Sequence, residues 1–167
     1  MNLRTMSSEV DVGVAPGDER CPLCNESHRA VAPNGPERIL IAEDEPCVAS
    51  LIDYNLEQDG YRVTIAGDGE EALRSLLASP PELLVLDLLL PLRSGWQVLR
   101  EIRTRRMPSL ADVPVLVVSA LACDRLERQL EALGAQAVIG KPFSVQALRE
   151  TVRRLITARH HPAEARH

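Results

Sequence analysis

Aromatic residues are nearly missing from this chain: one Trp, two Tyr and one Phe, 2% of 167 residues. A core has to be aliphatic, and a hydrophobic content of 45% is enough for one domain of this length, though not comfortably for two. Lysine is scarcer still. Of 19 cationic residues only Lys141 is a lysine; every other one is arginine. No apolar run approaches the ~20 residues of a bilayer span, so no membrane insertion is expected. The N-terminus is polar and acidic and lacks the apolar segment of a secretion leader, which points to the cytoplasm. The four cysteines would then sit in a reducing compartment, where structural disulfides do not persist. A net charge of −5, with no basic run beyond Arg103, Arg105 and Arg106, argues against direct nucleic-acid binding, which needs a clustered basic face.

Residues 1–36 are rich in Ser, Asp, Glu, Pro and Gly and carry no apolar periodicity. They read as a flexible arm. Within it, Cys21-Pro-Leu-Cys24 followed by His28 has part of a zinc-site spacing. A structural zinc needs four ligands and usually a second pair, and the remaining histidines, His160, His161 and His167, stand at the far end of the chain. An unliganded arm or a redox-sensitive dithiol is therefore favoured over zinc.

From Arg38 short apolar runs alternate with amphipathic stretches. Arg38-Ile-Leu-Ile-Ala42, Tyr61-Arg-Val-Thr-Ile65, Leu83-Leu-Val-Leu86, Val113-Pro-Val-Leu-Val-Val118 and Ala137-Val-Ile139 read as strands. Between them lie helical stripes: Val48, Leu51, Ile52 and Leu56; Ala72, Leu73, Leu76 and Leu77; Val98, Leu99 and Ile102; Leu126, Leu130 and Leu133; and finally Val145, Leu148, Val152 and Leu155. Pro46 suits a first helical turn, Asp68 a helix cap, and Gly60 and Gly134 helix stops. Trp96 reads as packing at a helix start, and Cys47 and Cys123 as small apolar residues. Continuous apolar strands separated by helices predict an α/β domain: a doubly wound, five-stranded parallel sheet of flavodoxin-like order 2-1-3-4-5 with helices on both faces. The expected organisation is an arm at 1–36, a domain at 37–158 and a polar, frayed tail at 159–167.

In such sheets ligands bind beyond the carboxyl ends of the strands. The residues just past those ends are Glu43 and Asp44, Asp87, Ser119, and Lys141. Three acids, one hydroxyl and one amine suit phosphoryl transfer to a carboxylate. Clustered carboxylates need a cation, and hard oxygen ligands suit Mg2+ (or Mn2+). Asp87 would be the nucleophile and form an aspartyl phosphate. Lys141, the sole lysine, would offer a compact charge to the phosphate, and Ser119 a hydroxyl. Pro142 would fix the following turn, with a cis bond one way to do it.

The stretch from Arg38 to about Ile156 resembles the receiver domain of bacterial two-component response regulators. The resemblance rests on Ile39-Leu-Ile-Ala-Glu-Asp-Glu-Pro46, on Leu84-Val-Leu-Asp-Leu-Leu-Leu-Pro91 with Gly95, on Ser119-Ala120, and on Gly134-Ala135 followed by Lys141-Pro142-Phe143. It implies a phosphoacceptor rather than an enzyme, with a histidine kinase or phosphotransfer protein as donor. It also implies a metal site of Glu43, Asp44, Asp87 and the backbone carbonyl of Leu89, and a phosphate-binding switch of Ser119, Ala120 and Lys141. Output would pass to a downstream protein partner through the fourth helix and fifth strand, from a monomer or a phosphorylation-dependent dimer.

Two departures bear on how such a switch would work. Receivers commonly carry an aromatic three residues before the lysine, where this chain has Val138, so any conformational signal must rest more on the backbone near Ser119. Two residues after Asp87 and after Ser119 stand Leu89 and Leu121, neither able to orient a hydrolytic water. A single-domain response regulator is the leading expectation. A phosphorylation-independent scaffold of the same fold is the alternative, and a hydrolase is disfavoured because no acid follows Asp87 to activate water.

Overall fold

The computed structural model describes residues 36–104, 108–121 and 123–160. The Cys21, Cys24 and His28 group, Arg105, Arg106 and residues 161–167 lie outside them. Strands and helices alternate as β1 (Arg38–Ala42), α1 (Pro46–Gln58), β2 (Arg62–Ala66), α2 (Gly69–Ala78), β3 (Leu83–Leu86), α3 (Gly95–Arg103), β4 (Val115–Ser119), α4 (Asp124–Leu133), β5 (Ala137–Gly140) and α5 (Val145–His160), with a 3-10 turn at Pro108–Leu110. All strand pairs are parallel and the sheet order is β2-β1-β3-β4-β5. This is the doubly wound arrangement expected from the alternation of apolar runs.

Because successive strand residues point to opposite faces, each strand feeds two cores. Ile39, Ile41, Val85, Leu116 and Val118 meet Ile52 and Leu56 of α1 and Leu148, Val152 and Leu155 of α5. Leu40, Leu84, Leu86, Val115 and Val117 meet α2, α3 and α4 through Ala72, Leu76, Leu99, Ile102 and Leu130. Burial on both faces is why the strand sequences read as unbroken apolar runs rather than alternating ones.

Helix starts follow local chemistry. Pro46 opens α1, where its missing N–H costs nothing. Asp68 accepts hydrogen bonds from the Glu70 and Glu71 N–H groups at 2.8 and 2.7 Å. Ser94 and Gln97 form a reciprocal capping box on α3. Gly134 closes α4 in the left-handed conformation, φ 103°.

Several expectations need correction. Leu51 and Leu77 face solvent, because they lie at the edge of stripes whose centres are Ile52 and Leu56, and Leu73 and Leu76. Cys47, in the first turn of α1, and Cys123, at the N-cap of α4, are both free and exposed. β4 begins at Val115: Pro114 has no N–H to give the ladder, though its carbonyl accepts from the Leu84 N–H at 2.9 Å. α5 runs two residues into the expected tail. Arg159 anchors that end by donating to the carbonyls of Pro81 and Glu82 at 2.8 and 2.9 Å. Among the described residues no helix is long and apolar enough to cross a membrane.

Two arginine contacts tie distant segments. Arg103, read from sequence as part of a basic run, turns inward. Its Nε donates to the Gly134 carbonyl, its Nη1 to the carbonyls of Leu110 and Ala111, and its Nη2 to the Val113 carbonyl and Gln136 Oε1, all within 3.2 Å. Asp59, just after α1, is gripped by Nε and Nη2 of Arg149 on α5, with Arg153 Nη2 at 3.9 Å. The hydrogen bonds from Arg149 hold the Asp59 carboxyl below its usual range, against the opposing effect of burial.

Replacing Arg103 with Met strands several partly buried carbonyls and is expected to cost about 2–3 kcal/mol in urea unfolding. The depressed Asp59 carboxyl stabilises the fold above its ordinary value of 3.8, and that contribution disappears as pH falls through the lower folded value. Asp59→Asn is thus expected to cost about 0.5–1 kcal/mol at pH 7, the scale of a half-exposed ion pair. Its stability should converge with that of the unaltered chain only once the pH has fallen below the lowered folded value of the Asp59 carboxyl.

Candidate functional site: an acidic cleft at the carboxyl edge of the sheet

The register fixes where the polar residues emerge. Ala42 of β1 lies level with Leu86 of β3, so Glu43 and Asp87, the next residues, leave the sheet side by side. The Asp87 N–H donates to the Ala42 carbonyl at 2.9 Å. Ser119 of β4 lies level with Gly140 of β5, and the Lys141 N–H donates to the Ser119 carbonyl at 2.9 Å. Four strands thereby deliver Glu43, Asp44, Asp87, Ser119 and Lys141 to one edge, as the sequence order predicts.

Lys141 ties the cleft together. Its Nζ lies 2.9 and 2.7 Å from the two carboxylate oxygens of Glu43 and 2.5 Å from Oδ2 of Asp87. The other oxygen of Asp87, Oδ1, accepts from the Leu89 N–H at 2.9 Å. Glu43, Asp87 and Ser119 are buried, while Asp44 is exposed. Ser119 Oγ accepts from the Leu121 N–H at 3.2 Å.

Burial pushes the Glu43 carboxyl up, and the negative charge of Asp87 adds to this; the Lys141 hydrogen bond only partly opposes it. Burial also works against the Lys141 ammonium, but its hydrogen bonds to Asp87 and Glu43 outweigh that and hold it above the usual lysine range. The two directions are compatible. One ammonium is shared by two carboxylates, so it gains from both while each carboxylate gains only in part.

Oxygen atoms of Glu43, Asp44 and Asp87 all lie within 4.8 Å of one another. One lysine does not neutralise three carboxylates. An all-oxygen donor set with residual negative charge fits a small hard divalent cation.

Glycine makes the walls possible. A Cβ at Gly95 would collide with the Asp87 carbonyl, and one at Gly69 with the Arg93 carbonyl. The loop after β3 therefore folds tightly back on itself and onto the start of α2. The Lys141–Pro142 bond is cis. Ala120 is exposed beside Ser119. Val138 is not at the cleft; it lies in β5 opposite Val117 and packs against the α2–α4 core. Sequence reading passed over Leu92 and Arg93 in the loop after Asp87. Leu92 has φ 62° and Arg93 pairs with Glu101 and Glu70. Nothing in the pattern of a single sequence signals a left-handed leucine.

Residues 39–153 match the profile of the response regulator receiver domain. Response regulator RR06 of Streptococcus pneumoniae serotype 2 is 38% identical over 118 residues, covering 71% of this chain and 52% of its own length. The alkaline phosphatase synthesis transcriptional regulatory protein PhoP of Bacillus subtilis is 34% identical over 121 residues, covering 72% and 48%. The chain spans about half the length of these curated relatives. Among solved structures, the receiver domain of Francisella response regulator 1452 aligns with a TM-score of 0.68 at 27% identity, over 72% of this chain and 97% of that one. The receiver domain of sensor histidine kinase PA1611 from Pseudomonas aeruginosa PAO1, solved with a magnesium ion coordinated in its active-site cleft, aligns with a TM-score of 0.67 at 29% identity, over 74% and 99%. With its parallel 2-1-3-4-5 sheet and its acidic cleft, the chain belongs to the response regulator receiver domain family of two-component signalling.

Proposed function

We propose that Asp87 accepts a phosphoryl group from a phosphohistidine of a histidine kinase or phosphotransfer protein, and that the phosphorylated chain signals through protein–protein contacts. The observation that carries this reading is the shared ammonium of Lys141, bonded to Glu43 and to Asp87 at the carboxyl edge of the sheet. Residues 37–158 would form the receiver, with 1–36 an arm carrying the Cys21 and Cys24 pair.

The chemistry assigned to each residue follows from its position. Asp87 forms the new O–P bond while the P–N bond to the donor imidazole breaks, and the imidazole nitrogen leaves with the electron pair. The Leu89 N–H and the Lys141 ammonium hold the two Asp87 oxygens and so preset the direction of attack. Lys141 then moves its charge onto the phosphoryl oxygens, while Glu43 keeps its Nζ at the cleft. Ser119 exchanges its bond from the Leu121 N–H for one that its hydroxyl donates to a phosphoryl oxygen; the Ala120 side chain is small enough to leave room. Glu43, Asp44, Asp87 and the carbonyl of Leu89 would hold Mg2+ or Mn2+, which when bound neutralises charge so that an anionic phosphoryl group is admitted. Pro142 fixes the turn that presents Lys141. Val138 has too little reach to follow Ser119, so the backbone around Ala120 carries the conformational signal.

Incubation with acetyl phosphate and Mg2+ is expected to add the mass of one phosphoryl group to the intact chain, and to add nothing to Asp87→Asn or in the presence of EDTA. No gain in the folded chain with either small or protein donors would remove the phosphoacceptor reading.

Water reaches the phosphoryl group past Leu89 and Leu121, both more than half exposed and both aliphatic. Neither can orient it, so the phosphorylated chain is expected to lose its label over minutes to hours rather than seconds. Leu89→Asn offers a hydrogen-bonding group there and should shorten the half-life severalfold. An unchanged decay would mean that Leu89 does not limit hydrolysis.

A further inference from the structure

The chain has four aromatic side chains, and three are sheltered. Trp96 packs against the α2–α4 core, and Tyr61 and Phe143 pack against the α1–α5 core. The fourth, Tyr54, stands 63% exposed on α1. Nearly one turn before it, Leu51 is 45% exposed, and one turn earlier still Cys47 is exposed.

A single apolar residue in water needs no explanation. These three form a line. At about 100° per residue, Cys47, Leu51, Tyr54 and the exposed Gln58 fall on one side of α1, separated by alternate steps of four and three residues. That is the spacing of a seam along which one helix packs on another. Leu51, at the margin of the stripe that meets the sheet, thus belongs to a second stripe, turned away from Ala49, Ile52 and Leu56.

Charge is divided across this line. On one flank the helical period places Asp53 and Glu57. Among the described residues neither has an ion-pair partner. On the other flank lies Asp59, which receives Arg149 of α5, with Arg153 Nη2 at 3.9 Å. The Arg153 side chain is mostly exposed. Unpaired acids therefore border the stripe on one side and arginines on the other.

We infer that the outer face of α1 is an interface between two copies of this chain, related by a two-fold axis along the helix direction, so that the two α1 helices lie parallel. A two-fold contact brings the same patch of each copy together. With the axis along α1, stripe meets stripe, and the acidic flank of each copy lies over the arginine flank of the other. With the axis across α1 the helices run antiparallel, acids face acids and arginines face arginines, which opposes association. Charge selects the parallel arrangement. Tyr54 suits the contact, because a tyrosine offers a large surface with only two torsions to fix. The pairing needs no phosphoryl group on Asp87, and its face is separate from α4 and β5, through which output is expected to pass.

A contact built on one helix of 13 residues is small against the ~1,600 Å² of a standard interface, so association is weak. Sedimentation equilibrium of the full, unphosphorylated chain under reducing conditions, up to about 1 mM, should show a reversible dimer. Leu51→Glu and Tyr54→Glu change positions already in water and should keep the thermal midpoint. Each should weaken the dimer at least about tenfold, the scale of one lost apolar side chain. Glu57→Arg should weaken it too, and adding Arg153→Glu should restore it. With Cys21, Cys24 and Cys123 replaced by Ser, a short bismaleimide should join Cys47 of one copy to Cys47 of the other, and should fail to do so when Leu51→Glu is added.

A chain that stays monomeric to about 1 mM overturns the inference; slower phosphoryl transfer to Leu51→Glu from a protein donor would then give this face to another protein. A dimer that survives both Leu51→Glu and Tyr54→Glu lies on a different surface and overturns it as well. A dimer that is lost in those variants, yet neither joins through Cys47 nor recovers on charge exchange, overturns the parallel arrangement.

Discussion

Everything at the carboxyl edge depends on one ammonium group shared by two buried carboxylates. Glu43 follows β1 and Asp87 follows β3, neighbouring strands whose register brings the two acids level. Alone they would repel across a dry gap, where charges interact far more strongly than in water. Lys141 comes from beyond β5, two strands away from β3, and reaches both. The cleft therefore exists only while the sheet order and the pairing of β4 with β5 are intact, and the strand register is a condition of the chemistry as well as of the fold.

The third acid answers a different demand. Asp44 is exposed where Glu43 and Asp87 are buried, so the cleft has a charged floor and an open side. A buried triad would have to stay protonated or find a second cation from within the protein. The open carboxylate of Asp44 instead stands in contact with solvent at the side of the cleft. The glycines at 69 and 95 let the loop after β3 lie close enough to bound that opening.

Much of this was legible in the sequence because it depends on period and order. Five apolar runs gave five strands, and the rule that ligands gather at strand carboxyl ends picked out Glu43, Asp44, Asp87, Ser119 and Lys141 without coordinates. What escaped was whatever depends on the margin of a pattern or on a partner far along the chain. Periodicity placed Leu51 and Leu77 in stripes but not on their outer edge. It ended the last helix too early, since the carbonyls of Pro81 and Glu82 that hold Arg159 lie about eighty residues away. Arg103 looked like one member of a basic run, and its inward turn is set by acceptors from two other segments of the chain, 110–113 and 134–136. The left-handed turn at Leu92 had no signature, because glycine or asparagine would have announced it and leucine does not.

Arg103 also illuminates the near-absence of lysine. Its acceptors belong to the segment around Leu110 to Val113 and to Gly134 and Gln136, spread around a plane that a guanidinium matches bond for bond and that a tetrahedral ammonium could not span. Lys141 meets the opposite geometry, two carboxylates converging on a single point. Cation shape follows the site: the flat group of Arg103 stitches loops together and is spent in doing so, while the one compact ammonium is set between the carboxylates of the cleft. A count of positive residues overstates the charge this molecule offers to others, since part of it is already committed inside the fold.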